Sequence, residues 1–194
     1  DLVVDIVDAT HLERGLYLTL QLLSLHRPMV LALNMTDELE KAGKAVDVPL
    51  LSRRLGIPVF PMSASEEKGI ETLIEAIAGK KIPIPDRAIS TSHIRSMRAL
   101  IEKACEIKSL PADFIAEQLL TGEEAWLEKL GLNEAERDRV RKSVESRGDP
   151  MLTVVSEKYS RVDRIVMETV QTKKAIRKES FSDRIDRIAT NRYL

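Results

Sequence analysis

Three short apolar runs rich in Val, Ile and Leu mark the first part of the chain: "LVVDIVDA" over 2–9, "MVLALNM" over 29–35 and "IPVFPMSA" over 57–64. Each has the length and composition of a buried strand. Between them the apolar positions change to helical spacing, as in Leu16, Leu20 and Leu23, then Leu50, Leu51 and Leu55 closed by Gly56. A further helix is predicted from about Ile70 to Ala78. Strand, helix, strand, helix, strand, helix in that order predicts a parallel sheet, with its functional edge at the carboxyl ends of the strands.

The pattern changes after "KKIPIPD", where Pro83 and Pro85 favour an extended linker. Beyond it no run reads as a strand. Ile94, Met97, Leu100, Ile101, Ala104 and Cys105 mark one amphipathic helix, and Pro111 opens another that runs to about Leu120. Trp126, Leu127 and Leu130 form a short helix closed by Gly131. Asn133 and Glu136 have capping-box spacing at the start of a very polar helix. Asp149-Pro150 begins the longest helix, whose apolar face is predicted to carry Met151, Leu152, Val155, Tyr159, Val162, Ile165, Val166 and Val170. A last amphipathic piece, "SDRIDRIATNRYL", ends the sequence. The expected division is an α/β part over 1–82 and an all-α part over 83–194.

Composition narrows the class. With 194 residues and 43% hydrophobic content there is enough apolar material for a core, while a net charge of -1 gives no global field toward nucleic acid. The one cysteine, Cys105, falls on an apolar helical stripe and rules out an internal disulfide framework, which fits a reducing compartment. No run reaches the ~18–20 apolar residues of a membrane span, and no signal-peptide pattern opens the chain. Residues 170–194 are locally basic, with seven Lys or Arg against three acids, as on a solvated helix face or a segment beside anionic lipid. His11, His26 and His93 are scattered and read as surface residues rather than metal ligands.

Candidate chemistry sits where two strands meet their loops. "NMTD" places Asn34 and Asp37 at the carboxyl end of the second run, and "MSA" places Met62, Ser63 and Ala64 at the end of the third. A carboxylate held there can accept two parallel hydrogen bonds from the ring N–H and exocyclic amine of guanine, an edge that adenine lacks. The Asn34 amide can touch the ring or tie neighbouring loops together. The Ala64 N–H can donate to the guanine carbonyl oxygen, and Ser63 can support its loop or the Asp37 carboxylate. Taken singly, these residues also suit turns and helix caps. Both motifs in chain order, each at a strand end, favour a base reader.

With those motifs the sequence resembles the small-GTPase-like G domains. Through "VVDIVDATHLERGLYLTLQLL" and "RPMVLALNMTDELEKAGKAVDVPLLSRRLGIPVFPMSASEEKGIETL" it resembles, more narrowly, the ferrous iron transport protein B family of bacteria. "EKYSRVDRIVMETVQ" and "SFSDRIDRIATNRYL" extend the likeness into the helical half. His11 and Gly15 stand where the family more often has Asn, at positions expected on a solvent-facing turn.

The resemblance implies an α/β fold comprising the C-terminal half of a P-loop GTPase sheet, then an all-α helical domain leading to a membrane helix. It implies GTP or GDP as ligand, with Asn34, Met35, Asp37, Met62, Ser63 and Ala64 as cofactor-binding residues. GTP hydrolysis regulating Fe2+ uptake, with Mg2+, is implied for an intact protein on the cytoplasmic face of the bacterial inner membrane. The phosphate loop, switch threonine and D-x-x-G of the family do not occur in these 194 residues, so no catalytic residue or metal ligand is assigned. The expected partners are guanine nucleotide, an upstream half of the G domain and a membrane domain of the same protein, with no nucleic acid and self-association left open. Two other readings are a GTPase with an appended RNA-binding helical domain and a nucleotide-free interaction module on a G-domain frame.

Overall fold

The computed structural model describes residues 2–79, 82–85, 91–145 and 150–172. Strands β1 (Val3–Asp8), β2 (Met29–Asn34) and β4 (Val59–Pro61) form a parallel sheet in the order β1-β2-β4. β2 lies in the centre with Met29 to Leu33 fully buried, which a continuous apolar run requires when both faces of a sheet are covered. One face packs on α1 (Leu12–Leu23) and α3 (Val48–Leu55) through Leu16, Leu20, Leu23, Leu51 and Leu55. On the other face Val30, Ala32 and Met62 meet Leu73 of α4 (Ile70–Gly79).

α3 illustrates how local sequence sets an element. Asp47 Oδ1 accepts from Leu50 N at 2.9 Å, Pro49 fits the first turn, and Gly56 closes the helix at φ +72°. Gly15, expected on a solvent-facing turn, instead lies within α1 against β1. A Cβ there would stand 2.2 Å from Val7 Cγ1, so the close approach of helix and strand depends on its absence.

The helical part comprises α5 (Ser92–Ile107), α6 (Ala112–Leu120), α7 (Ala125–Lys129), α8 (Glu134–Glu145) and α9 (Pro150–Thr169). Ile94, Met97, Ile101 and Cys105 of α5 face Ile115, Ala116 and Leu119 of α6, while Leu100 lies at the edge of the stripe and is exposed. The capping box closes as its spacing predicts: Asn133 N donates to Glu136 Oε2 and Glu136 N to Asn133 Oδ1, both at 2.9 Å.

Two features depart from the sequence reading. First, strands exist where none was legible. β3 (Lys44–Val46) follows α2 (Thr36–Lys41), and it pairs antiparallel with β5 (Val170–Thr172), which succeeds α9 directly. Asp47 N donating to Thr169 O at 2.8 Å continues the ladder. Val170, read as helix face, is therefore a strand residue opposite Val46. Three-residue strands carry no usable period, and their partners here are far apart in sequence.

Second, α9 keeps the expected face in its second half, where Val162 and Ile165 are buried and Val166 packs on them, but turns a different one inward in its first half. Val154, Lys158, Val162 and Ile165 point inward, while Leu152 and Tyr159 are exposed; the Met151 side chain lies outside the described residues. Lys158 forms a buried ion pair with Glu117 of α6, the two side chains 4% and 5% exposed. The Lys158 ammonium also stands 5.6 Å from the ring centroid of Tyr17 on α1. Burial pushes the Lys158 pKa down, against the opposing pull of Glu117. A charged residue on a core stripe reads as polar in any hydrophobic pattern, so the first half of this face, around Lys158, differs from the one its apolar residues predict.

α9 thereby joins the two parts. Val154 belongs to the helical core, whereas Val162 and Ile165 belong to the core under the sheet. Arg54 of α3 pairs with Glu168 at 2.6 Å. Near the other end of the interface, His26 Nε2 and Asp113 Oδ2 meet at 2.7 Å, with Arg98 Nη1 3.2 Å from the same oxygen. The terminal piece "SDRIDRIATNRYL" and most of the basic stretch lie outside the described residues, whereas residues 82–85 of the predicted linker, with Pro83 and Pro85, are neither helix nor strand.

Candidate base-recognition site

Asn34 is the last residue of β2, and Asp37 lies in the first turn of α2. Between them Met35 adopts the left-handed conformation, φ +61° and ψ +31°, which is uncommon for a residue with a Cβ. This kink turns the chain sharply at the sheet edge. It leaves the Met35 side chain 42% exposed and directs Thr36 toward the neighbouring loop.

That loop leaves β4 beside it. Met62 N donates to Leu33 O at 2.8 Å, extending the β2–β4 pairing, and Thr36 donates to Met62 O through both its amide (3.3 Å) and its hydroxyl (3.0 Å). Ala64 N donates to Asn34 Oδ1 at 3.0 Å. Ser63 and Lys68 exchange backbone hydrogen bonds of 3.0 Å each, closing a tight turn. Gly69, at φ +78°, completes it; a Cβ there would stand 2.3 Å from Pro61 O.

Asn34, Asp37, Ser63 and Ala64 are thus brought to one edge, with Met35 and Met62 beside them. Of the two roles open to Asn34, its Oδ1 performs the tie between loops. The Ala64 N–H considered as a donor to a ligand is engaged by Asn34 in this state.

The electrostatics centre on Asp37. Its side chain is only 10% exposed; Oδ2 accepts from Lys41 Nζ at 3.1 Å, whereas Oδ1 is buried without a hydrogen-bond partner. The Ser63 hydroxyl, as a hydrogen-bond donor beside the carboxylate, does most to lower the Asp37 pKa, and Lys41 lowers it further against the effect of burial; Ser63 Oγ and Ser65 Oγ stand 3.1 Å apart with either able to donate. Glu38 and Asp37 together raise the Lys41 pKa, and Lys68 is raised first by its partner Glu66. An ionised carboxylate with one buried, unpartnered oxygen is an acceptor awaiting a donor. Lys41, Gly69 and Thr36 escaped the sequence reading. Gly69 alone had a local signal, a glycine just before a helix start.

The histidines do not gather here. His11 bonds Asp8, His26 meets Asp113, and His93 lies 3.4 Å from Glu157. Among the described residues no three metal-ligating side chains cluster.

Comparison with known proteins places this arrangement. A family model described as "Ferrous iron transport protein B" matches residues 1–77. An Fe(2+) transport protein A/Fe(2+) transporter FeoB fusion protein of Porphyromonas gingivalis is 35% identical across the whole of this chain, which covers 25% of that protein. The Fe(2+) transporter FeoB of Salmonella typhimurium is 31% identical, again across the whole chain and 26% of the relative.

The chain is similar to the ferrous iron transport protein B family.

It spans about a quarter of the length of these curated relatives. Among solved structures, a mutant S. thermophilus NFeoB bound to GDP superposes with a TM-score of 0.74 at 28% identity, over 85% of this chain and 67% of that one. The cytosolic domain of L. pneumophila FeoB gives 0.69 at 26% identity, over 88% and 68%. The parallel sheet with flanking helices is therefore the FeoB G-domain fold.

Proposed function

We propose that this chain supplies the guanine-recognition half of the G domain of a bacterial ferrous iron transporter, together with its helical domain. The observation that carries the reading is Asp37: a nearly buried, ionised carboxylate with one orphan oxygen, held at the carboxyl end of a central parallel strand. The N1–H and exocyclic amine of guanine would donate to its two oxygens. Asn34 would hold the two loops at the right separation, with Met35 and Met62 lining the base. Ser63 would keep the carboxylate ionised, and the Ala64 N–H would face the base carbonyl oxygen. Relatives solved with GDP, and with GDP.AlF4- and K+, support nucleotide binding by this fold.

In this reading the functional division falls near residue 82. Residues 1–82 carry base recognition, and residues 83–194 form a helical domain that links it to a membrane part of the same protein. β1 pairs on one side only among the described residues and exposes Ile6 at 67%, which supports an upstream half of the G domain as its neighbour. That half would bring the phosphate loop and the Mg2+ ligands. GTP hydrolysis would then regulate Fe2+ uptake from the cytoplasmic face of the inner membrane. No described helix is long and apolar enough to cross a membrane.

Titration of fluorescent GDP and ADP into the intact protein tests the base assignment. Tight GDP binding lost in Asp37→Ala, with weak ADP binding throughout, is the expected result. Equal affinity for GDP and ADP would overturn guanine reading.

A further inference from the structure

We propose that Thr36 is a positioning residue for base discrimination: by donating twice to Met62 O it fixes the spacing between the Asp37 carboxylate and the Ala64 amide. The inference rests on the base-reading role of Asp37. Asp37 and Ala64 come from different loops, so their separation depends on what joins those loops.

Four hydrogen bonds do so: Met62 N to Leu33 O, Ala64 N to Asn34 Oδ1, and the amide and hydroxyl of Thr36 to Met62 O. The Ala64 bond is the one a bound base disturbs, because the same N–H faces the ligand's carbonyl oxygen. If it loosens on binding, Thr36 and the single Met62 bond retain the geometry. Of the two Thr36 bonds, the hydroxyl's is the shorter, 3.0 Å against 3.3 Å. A β-branched residue holds its hydroxyl in few rotamers, so the contact is made without a large loss of side-chain freedom. The left-handed turn at Met35 aims both donors at one carbonyl, giving that unusual conformation a use.

Discrimination is where the clamp matters most. A base with one N–H toward Asp37 tolerates a small shift of the carboxylate, whereas a base with two parallel donors does not. GDP and IDP differ by the exocyclic amine alone and so report on the second donor.

The test measures dissociation constants of GDP and IDP for the intact protein and its Thr36→Val and Thr36→Ser variants. Val keeps the shape and loses the hydroxyl; Ser keeps the hydroxyl. GDP affinity is expected to fall roughly five- to tenfold in Thr36→Val, the scale of one lost hydrogen bond. IDP affinity should fall less than about twofold on the same reasoning, and Thr36→Ser should restore the wild-type ratio. If Thr36→Val does not fold, Thr36→Ala must show the same narrowing of the GDP-to-IDP ratio. A wild-type ratio in the folded variant, whether both affinities persist or both drop together, overturns the proposal. Asp37→Ala separates the two levels: if it keeps the preference for GDP over IDP, base reading itself fails. If that preference is lost while Thr36→Val leaves it intact, only the role of Thr36 fails.

Discussion

Replacing Lys158 by methionine would leave the Glu117 carboxylate in a site 5% exposed, facing α9 without its ammonium partner. Methionine fills nearly the same volume, so the loss is electrostatic rather than a cavity. Breaking one side of a buried pair costs about 3–5 kcal/mol, and the contact of the ammonium with the Tyr17 ring falls within that figure. Against a total stability of about 5–15 kcal/mol this is a large share. For a chain of this size it corresponds to a fall in Tm of roughly 6–20 °C. Glu117→Leu should be comparably harmful, because it leaves the ammonium buried. The double variant Glu117→Leu/Lys158→Met removes both charges, and stability near or above wild type is expected, since apolar replacement of such pairs is often neutral or favourable by about 1–4 kcal/mol. Urea melts of the four proteins give the coupling energy directly. Additive single effects, with a coupling below about 0.5 kcal/mol, would refute the claim that this pair is a closed electrostatic unit joining α6 to α9.

Asp5, 6% exposed on β1, accepts a 2.6 Å hydrogen bond from Thr19 Oγ1, and burial raises its pKa despite that bond. A raised carboxyl pKa means the folded state binds the proton more tightly than the unfolded state. Stability from this source is full below the ordinary 3.8 and is lost as pH rises through the folded value. Asp5→Asn keeps an acceptor for Thr19 and removes the charge, so its Tm should exceed wild type at pH 7 with the gain disappearing near pH 3; a gain independent of pH would refute the assignment. Ala45 and Gln171 stand directly opposite in the β3–β5 pair, so Ala45→Cys/Gln171→Cys should crosslink under mild oxidation. Cys105 is 1% exposed and does not compete. Failure to crosslink, read by intact mass, would remove β5 from its place.

What was legible in the sequence is what short stretches encode. β1, β2 and the helices α1, α3 and α4 follow from runs and periods that lie within one segment, and the Asn133–Glu136 box needs only three residues of spacing. Asn34 and Asp37, which singly suit turns and caps as well, stood out because a second motif, Met62 to Ala64, follows in chain order at the next strand end. β3 and β5 were invisible because each is stable only in the presence of the other, across more than a hundred residues of chain. Lys158 escaped because its burial depends on Glu117 arriving from another helix. The Thr36 clamp likewise needs the Met62 carbonyl, which the β2–β4 pairing carries into reach. In each case the missing information was a tertiary partner.

The double membership of α9 bears on how the molecule comes apart. One rigid helix supplies side chains to both cores, and its end is strapped to β3, so neither part can lose its packing while the other keeps all of its own. Two regions with separate tasks therefore share one melting event. A calorimetric scan should trace a single transition whose van't Hoff and calorimetric enthalpies agree, with α9 among the last amides to exchange their hydrogens.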